Sequence, residues 1–309
     1  MDWREALATD LPDCFKVEPR IIGDEIVGHE CALRIWRDWT QSFSFNSALV
    51  EAATAPRQVI AFGASLFVAP DFATHELERP QPGLNSRILA SVASGRSVVL
   101  PKTQLSGSDA SDGLDLVALT GTCLYEAMNP QQTTQAEMAM AISFAKLHVG
   151  YRLNRIFIET RNSRHRKYLE SSGVWRVVAE FPRSGSAFLV LTAKEAFSVS
   201  GSVAALLFQY REPVLHLRNS EKELLSKSMN GETDNELAAR LNLSLPAIKK
   251  RWVSVFDRIA EVCPDLLPDA ERRGLQESRG PQKRHRILAY LRSHPEELRP
   301  YRWRSTVHS

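Results

Sequence analysis

The sequence has few cysteines, no long hydrophobic run and no signal-peptide pattern at its start. Its four cysteines are dispersed and form no C-x-x-C pair, which argues against a zinc site or a disulfide framework. The longest apolar stretch, residues 59–70, is of strand length and too short to span a bilayer. The first residues lack the basic start and the apolar run of a secretory signal. We therefore expect a cytoplasmic protein without a membrane partner, a bound metal ion or another cofactor.

Length and composition predict two globular domains. The chain has 309 residues, of which 43% are hydrophobic and 24% are charged, as in ordinary folded proteins. Small polar residues, a short apolar helix and a proline predict a linker at 201–213, between a domain at 1–200 and a domain at 214–309. The C-terminal domain carries 18 Lys or Arg against 13 Asp or Glu, a formal net charge of +5. Basic charge is therefore concentrated in the last third of the chain.

Residues 217–259 have the pattern of three short amphipathic helices. Thr233 and Glu236 form a capping box that predicts the start of the second helix. The third helix begins at Ser244, and its apolar residues recur at the spacing that buries one stripe of a helix. This stripe consists of Ile248, Trp252, Val255, Phe256 and Ile259. A three-helix unit with basic residues outside the stripe of its last helix is suited to the major groove of DNA.

This segment resembles the helix-turn-helix of LuxR-type transcription regulators. Matching positions are Leu217, Glu221, Glu223, Leu224, Leu225, Gly231, Thr233, Glu236, Leu237, Ala238, Leu241, Ser244, Ile248 and Lys249. The chain departs from the family pattern at Arg218 and Ala247, where the family has Thr, and at Ser220, where it has Arg. The resemblance implies an all-α C-terminal domain that binds double-stranded DNA in a bacterial regulator. It leaves homodimerisation through a fourth helix open.

The predicted DNA contacts lie on the exposed side of the helix that begins at Ser244. Lys249 and Lys250 are the leading contacts, and phosphate contacts are predicted for Ser244, Arg251 and Ser254. A later helix has a basic face that either contacts the DNA backbone or is only solvated. That face consists of Lys283, Arg284 and Arg286. The chain is thus predicted to regulate transcription, with an N-terminal domain that senses a small-molecule effector or mediates assembly.

The N-terminal domain has the element order of an α/β fold. Strands are predicted at 59–68, 97–100, 114–128, 155–159, 174–181 and 187–192. Helices are predicted at 85–95, 134–149 and 163–171, and a Ser-, Asp- and Gly-rich loop at 106–113. This order indicates a mixed central sheet covered by helices.

Residues 162–174 read N-x-x-H-x-x-Y-L-x-x-x-G-V and resemble the C-terminal half of the GNAT acyltransferase fold. The family pattern is N-x-x-A-x-x-L-Y-x-x-x-G-F, so Leu169 stands where the family has its general-acid Tyr. The family also has a Gly-rich turn whose backbone amides bind the pyrophosphate of coenzyme A. Residues 131–136 match it best, with Thr134 in place of a glycine. These departures predict a GNAT-like domain with no catalytic residues; an N-acyltransferase with an appended helical domain is the alternative.

Two further groups of side chains in the N-terminal domain have both a functional and a structural interpretation. His148, His165 and Glu159 are candidates for an acid-base group, although Glu159 next to Arg161 also fits a simple ion pair. An aromatic cluster either lines an apolar ligand pocket or packs a helix against the sheet. The cluster consists of Trp36, Trp39, Phe43 and Phe45.

Overall fold

The computed structural model describes residues 2–22, 27–42, 44–52, 58–105, 113–229, 231–267 and 280–300. The chain forms two compact units, Met1–Gln209 and Tyr210–Ser309. Within the predicted linker, Val203–Phe208 form a 3-10 helix, and Leu207 is buried in a core of the first unit. In the part of the chain described, no helix is long and apolar enough to cross a membrane.

The first unit contains a seven-stranded sheet in the order β1-β2-β3-β4-β5-β7-β6. The strands are β1 (Asp2–Glu5), β2 (Phe45–Glu51), β3 (Val59–Val68), β4 (Leu114–Cys123), β5 (Leu153–Thr160), β6 (Arg176–Phe181) and β7 (Ser186–Thr192). All neighbours pair antiparallel except β4 and β5, which are parallel and are connected by a long helix. The predicted mixed α/β fold is confirmed. The strand predicted at 97–100 is wrong, because the described residues there form only an isolated bridge between Val68 and Val99.

Helices cover both faces of this sheet. They are α1 (Leu11–Val17), α2 (His29–Thr40), α3 (Pro70–Glu78), α4 (Leu84–Ala93), α5 (Lys102–Leu105), α6 (Pro130–His148), α7 (Ser163–Ser171) and α8 (Ala193–Ser198). Helices α1 to α4 share one hydrophobic core with the sheet, whereas α6, α7 and α8 pack in cores on the other face. A functional site that opens between strands can therefore be lined by residues from both faces.

The aromatic cluster belongs to the core under α2. Trp36 is 1% exposed, and its ring centroid lies 5.3 Å from that of Trp39 and 5.6 Å from that of Phe45. The indole nitrogen of Trp36 donates a hydrogen bond to the carbonyl oxygen of Ile21 at 3.1 Å. These contacts support the packing interpretation rather than a ligand pocket; Phe43 lies outside the described residues.

The described part of the second unit consists of helices and short 3-10 segments. Its α-helices are α9 (Asn219–Ser228), α10 (Asp234–Arg240), α11 (Leu245–Val262) and α12 (Gly280–Ser293). The predicted capping box forms, because the Glu236 carboxylate accepts a hydrogen bond from the backbone nitrogen of Thr233 at 2.7 Å. The core centres on Trp252, which is 2% exposed and is covered by the guanidinium of Arg284 at 4.5 Å from the ring centroid.

Candidate functional site

The parallel strands β4 and β5 separate toward their carboxyl ends. The two strands pair with each other from Leu114 opposite Leu153 to Ala118 opposite Ile158. Beyond this point β4 continues to Cys123 and β5 to Thr160, but the two strands no longer pair with each other. The carboxyl ends of parallel strands lie at the same edge of a sheet, where ligands of α/β folds commonly bind. The separation therefore opens a cleft within the sheet itself.

A β-bulge lies in β4 where the strands begin to separate. Ser65 of β3 pairs with Ala118 and Ala64 pairs with Thr120, so Leu119 is an extra residue on β4. The side-chain amide of Asn85 donates a hydrogen bond to the Leu119 carbonyl oxygen. Bulges redirect the backbone and are common next to active sites. Main-chain groups of β4 consequently line the cleft in an orientation that Asn85 helps to fix.

The cleft is lined from both faces of the sheet. Glu18 and the start of α4 contribute from one face, and Asn162 and His165 contribute from the face of α7. Asn162 caps α7 by accepting hydrogen bonds from the backbone nitrogens of Arg164 at 2.9 Å and His165 at 3.1 Å. This cap holds His165 in the first turn of α7, where its ring faces β4.

His165 is buried against the backbone of β4. A Cβ built on Gly121 would lie 3.7 Å from its Cε1 and 3.9 Å from its Nε2, and its Nδ1 lies 3.4 Å from the Thr160 hydroxyl. Burial lowers the pKa of His165 to about 4, so the imidazole is uncharged at neutral pH. None of the described residues forms a hydrogen bond with Nε2. The cleft thus contains a neutral imidazole with an available nitrogen.

Glu159 has a different role from the predicted ion pair with Arg161. Its carboxylate accepts hydrogen bonds from the backbone nitrogens of Gly83 at 3.1 Å and Leu84 at 2.6 Å, and from the Ser186 hydroxyl at 2.6 Å. Gly83 has a φ of 82°, which favours glycine at this position. The carboxylate therefore caps the start of α4, and the ion-pair prediction was wrong.

His148 lies apart from the other two candidates of the acid-base group. Its Nε2 is 2.7 Å from the Ser65 hydroxyl, and its Nδ1 is 2.7 Å from the carbonyl oxygen of Phe144. With 1% exposure it joins the end of α6 to the sheet rather than lining the cleft. The structure thus brings only His165 and Glu159 of that group together.

The start of α6 does not fit the pyrophosphate of coenzyme A in the way the GNAT family pattern implies. The Asn129 side chain accepts a hydrogen bond from the Gln132 nitrogen at 2.9 Å, and the Gln132 side chain accepts one from the Asn129 nitrogen at 3.0 Å. Pro130 has no N–H, and the Thr134 hydroxyl donates to the Pro130 carbonyl oxygen at 3.1 Å. The helix therefore caps itself with the groups that would bind phosphate.

All three predicted phosphate contacts at or next to α11 have partners within the second unit. Ser254 donates to the buried carboxylate of Glu221 at 2.7 Å, and Ser244 caps α11 by accepting a hydrogen bond from the Ala247 nitrogen at 3.3 Å. Arg251 lies 3.5 Å from a Glu223 carboxylate oxygen. The two leading predicted DNA contacts, Lys249 and Lys250, are exposed. Most of this set therefore stabilises the helical unit.

The predicted basic face of α12 also has internal partners. Arg284 forms two hydrogen bonds with the Asp234 carboxylate, at 2.7 and 3.0 Å, and Lys283 lies 5.9 Å from the ring centroid of Phe256. Arg286 is exposed. The Arg284 guanidinium thus has an ion pair on one side and the Trp252 ring on the other, and its contact with the DNA backbone stays a prediction.

The residues that sequence reasoning missed are Asn85, Leu119 and Gly121. The sequence contains only weak signals for these residues. A bulge can be recognised only when the register of two paired strands is known, and Asn85 is far from β4 in the sequence. The sequence T-G-T at 120–122 was the one local sign, since a glycine inside a strand often marks a close approach of another group.

No protein-family model and no curated protein matches the chain. Solved structures similar to it include Chaetomium thermophilum Naa20 in complex with a bisubstrate analogue, at 14% identity over 65% of this chain and 90% of that chain, with a TM-score of 0.32. Another is the Drosophila melanogaster polyamine N-acetyltransferase that forms N-acetylagmatine, at 12% identity over 62% of this chain and 98% of that chain, with a TM-score of 0.33.

Both solved structures are N-acetyltransferases, and neither comparison supports a LuxR-type helix-turn-helix. The prediction of a transcription regulator that is not an enzyme is therefore wrong. The prediction failed because helix caps and apolar stripes specify helices and their packing but do not specify what the helices bind.

Proposed function

We propose that the first unit transfers an acyl group from a thioester to an amine in the cleft between β4 and β5. The observation that carries this proposal is His165, a buried neutral imidazole whose Nε2 has no hydrogen-bond partner among the described residues. It lies against the backbone of β4 at Gly121, two residues beyond the bulge. The sequence of residues 162–174 resembles the GNAT acyltransferase fold, with Leu169 in place of the general-acid Tyr of that family.

In this reaction the amine nitrogen attacks the carbonyl carbon of the thioester. The new N–C bond forms and the C–S bond breaks, while Nε2 of His165 accepts the proton that the nitrogen loses and passes it to the thiolate sulfur. The imidazole is regenerated, so atoms and charges balance. Backbone amides of the bulged segment of β4 are the candidates to donate hydrogen bonds to the carbonyl oxygen as it gains negative charge.

Two features set limits on this mechanism. Leu169 is 7% exposed and packs with Ala118 and Ile158, so it offers no proton to a leaving thiolate, and His165 is the candidate for that step. In this mechanism the capped start of α6 does not bind the nucleotide of coenzyme A. The thioester and its acyl group are therefore the parts of the donor that the cleft is proposed to bind.

We expect His165→Gln to reduce the rate of acyl transfer by about 10²-fold, the low end for general acid-base catalysis, because an imidazole with a pKa of about 4 is a weak base. The assay follows release of the free thiol from acetyl-coenzyme A with a panel of amines and detects the N-acetyl product by mass spectrometry. His75→Gln, which removes an exposed histidine from α3, is the matched control and should leave the rate unchanged.

Each outcome of this assay has a distinct meaning. Absence of thiol release and product with every amine would overturn the acyltransferase proposal. Full activity of His165→Gln, with a melting temperature like that of the parent, would instead leave the activity standing and remove His165 from the reaction.

A further inference from the structure

Three charged side chains line the described part of the cleft, and they differ in their partners. Glu159 accepts hydrogen bonds from the start of α4 and from Ser186. Glu18 also has an interaction partner. The guanidinium of Arg161 is exposed and forms no ion pair or hydrogen bond with any residue that the structure describes. Arg161 is therefore the cationic group of the three, and its guanidinium is the one without a partner among the described residues.

Side chains near the end of β5 alternate between the two faces of the cleft. Phe157 packs in the core that α4 shares, and Glu159 caps α4. Ile158 packs with a residue of α7, and the Thr160 hydroxyl is near the His165 ring. Arg161 directly follows Thr160, the last residue of β5, and lines the same cleft.

We infer that Arg161 binds a carboxylate of the acceptor, so that the acceptor is an α-amino acid rather than a polyamine. This inference rests on the proposed acyl transfer. The planar guanidinium forms two parallel hydrogen bonds with a carboxylate, which fixes its orientation as well as its position. In an α-amino acid the amine and the carboxylate share one carbon atom, so binding of the carboxylate holds the amine within the cleft. A polyamine has no carboxylate with which to form these two hydrogen bonds.

The first test compares acceptors that differ only in the carboxylate. Glycine, phenylalanine and glutamate are each paired with their α-amide, agmatine is added as a cationic acceptor, and acetyl-coenzyme A is the donor. We expect kcat/KM for the acids to exceed that for the amides by about ten- to hundredfold, as for the loss of a charge-assisted hydrogen bond. Arg161→Ala should abolish this preference, and Arg161→Lys should restore part of it. Arg183→Ala, at an exposed arginine of the β6–β7 turn, should retain it.

A second test does not depend on activity. Arg161 is modified with phenylglyoxal in the full-length protein, and the modified peptide is quantified by mass spectrometry with the same acids and amides present. We expect the acids to protect Arg161 at concentrations at which the amides do not, and to leave modification of Arg183 unchanged.

The two tests separate failure of this inference from failure of the proposed function. Transfer to amides or agmatine as efficient as transfer to the acids would overturn the carboxylate inference and leave acyl transfer standing. Protection of Arg161 by the acids without any transfer would overturn acyl transfer and leave the anion site standing. If there is neither transfer nor protection, both are wrong.

Discussion

Trp252→Ala should destabilise the second unit by about 3–5 kcal/mol, as truncation of a buried aromatic residue usually does. Trp252 is 2% exposed and packs with Ile248, Val255 and Ile259, each of which is fully buried. The substitution also removes the ring that lies under the Arg284 guanidinium. A loss of this size is a large fraction of the stability of a small domain, so the second unit should be largely unfolded or melt at a much lower temperature.

Chemical denaturation of the full-length chain measures this effect. The unfolding transition of the second unit can be followed by hydrogen exchange of α9 and α11. Val253→Ala is the matched control, because Val253 is the next residue on the same helix and is 54% exposed. A transition of Trp252→Ala that coincides with that of Val253→Ala would show that the tryptophan does not support this core.

Local sequence signals predicted helices α4, α6, α7 and α9 to α12, whereas α1, α3, α5 and α8 were not predicted. Thr233 and Ser244 precede their helices and accept hydrogen bonds from the backbone amides of the first turn. Four residues of the apolar stripe of α11 are buried as its spacing indicates, and Phe256 is partly buried. These features depend on residues within one or two turns of each other, which is why a single sequence contains them.

The strands and the cleft depend on contacts that are distant in the sequence. The predicted order of elements lacked β1 and β2, because four- and seven-residue strands give little periodicity and their pairing partners were unknown. The cleft combines Asn85, Leu119, Arg161 and His165, which come from four separate elements or their ends. Only the register of β4 against β3 and β5 shows that these residues meet.

The charge pattern of the second unit did not show the internal partners of its polar and basic residues. Ser254 and Arg258 both bind the carboxylate of Glu221, which is 1% exposed, and Arg284 binds Asp234. A polar or basic residue outside an apolar stripe is free to meet a ligand only if no carboxylate of a neighbouring helix lies within reach. That condition is set by packing and cannot be determined from the spacing of residues along one helix.

Burial of His165 should make the first unit less stable as the pH falls from about 6.5 to about 4. The pKa of this imidazole is about 4 in the folded protein, below the 6.5 of an exposed histidine, because burial disfavours the charged form. Between these values the unfolded chain binds a proton that the folded chain does not, so acid favours unfolding. Stability from the neutral ring is complete above pH 6.5 and is lost progressively down to pH 4. The full shift corresponds to about 3 kcal/mol.

Comparison with His165→Gln isolates this contribution from the titration of carboxylates. The free energy of unfolding of the first unit is measured by denaturation of the full-length protein at pH 7, 5.5 and 4. We expect the parent to lose about 3 kcal/mol more than His165→Gln between pH 7 and pH 4, because glutamine takes up no proton on unfolding. His75→Gln, which removes an exposed histidine, controls for the loss of an imidazole as such. Parallel pH profiles for the parent and His165→Gln would mean that the ring is charged or solvated in the folded protein, and the proposed proton acceptor of the cleft would then be lost as well.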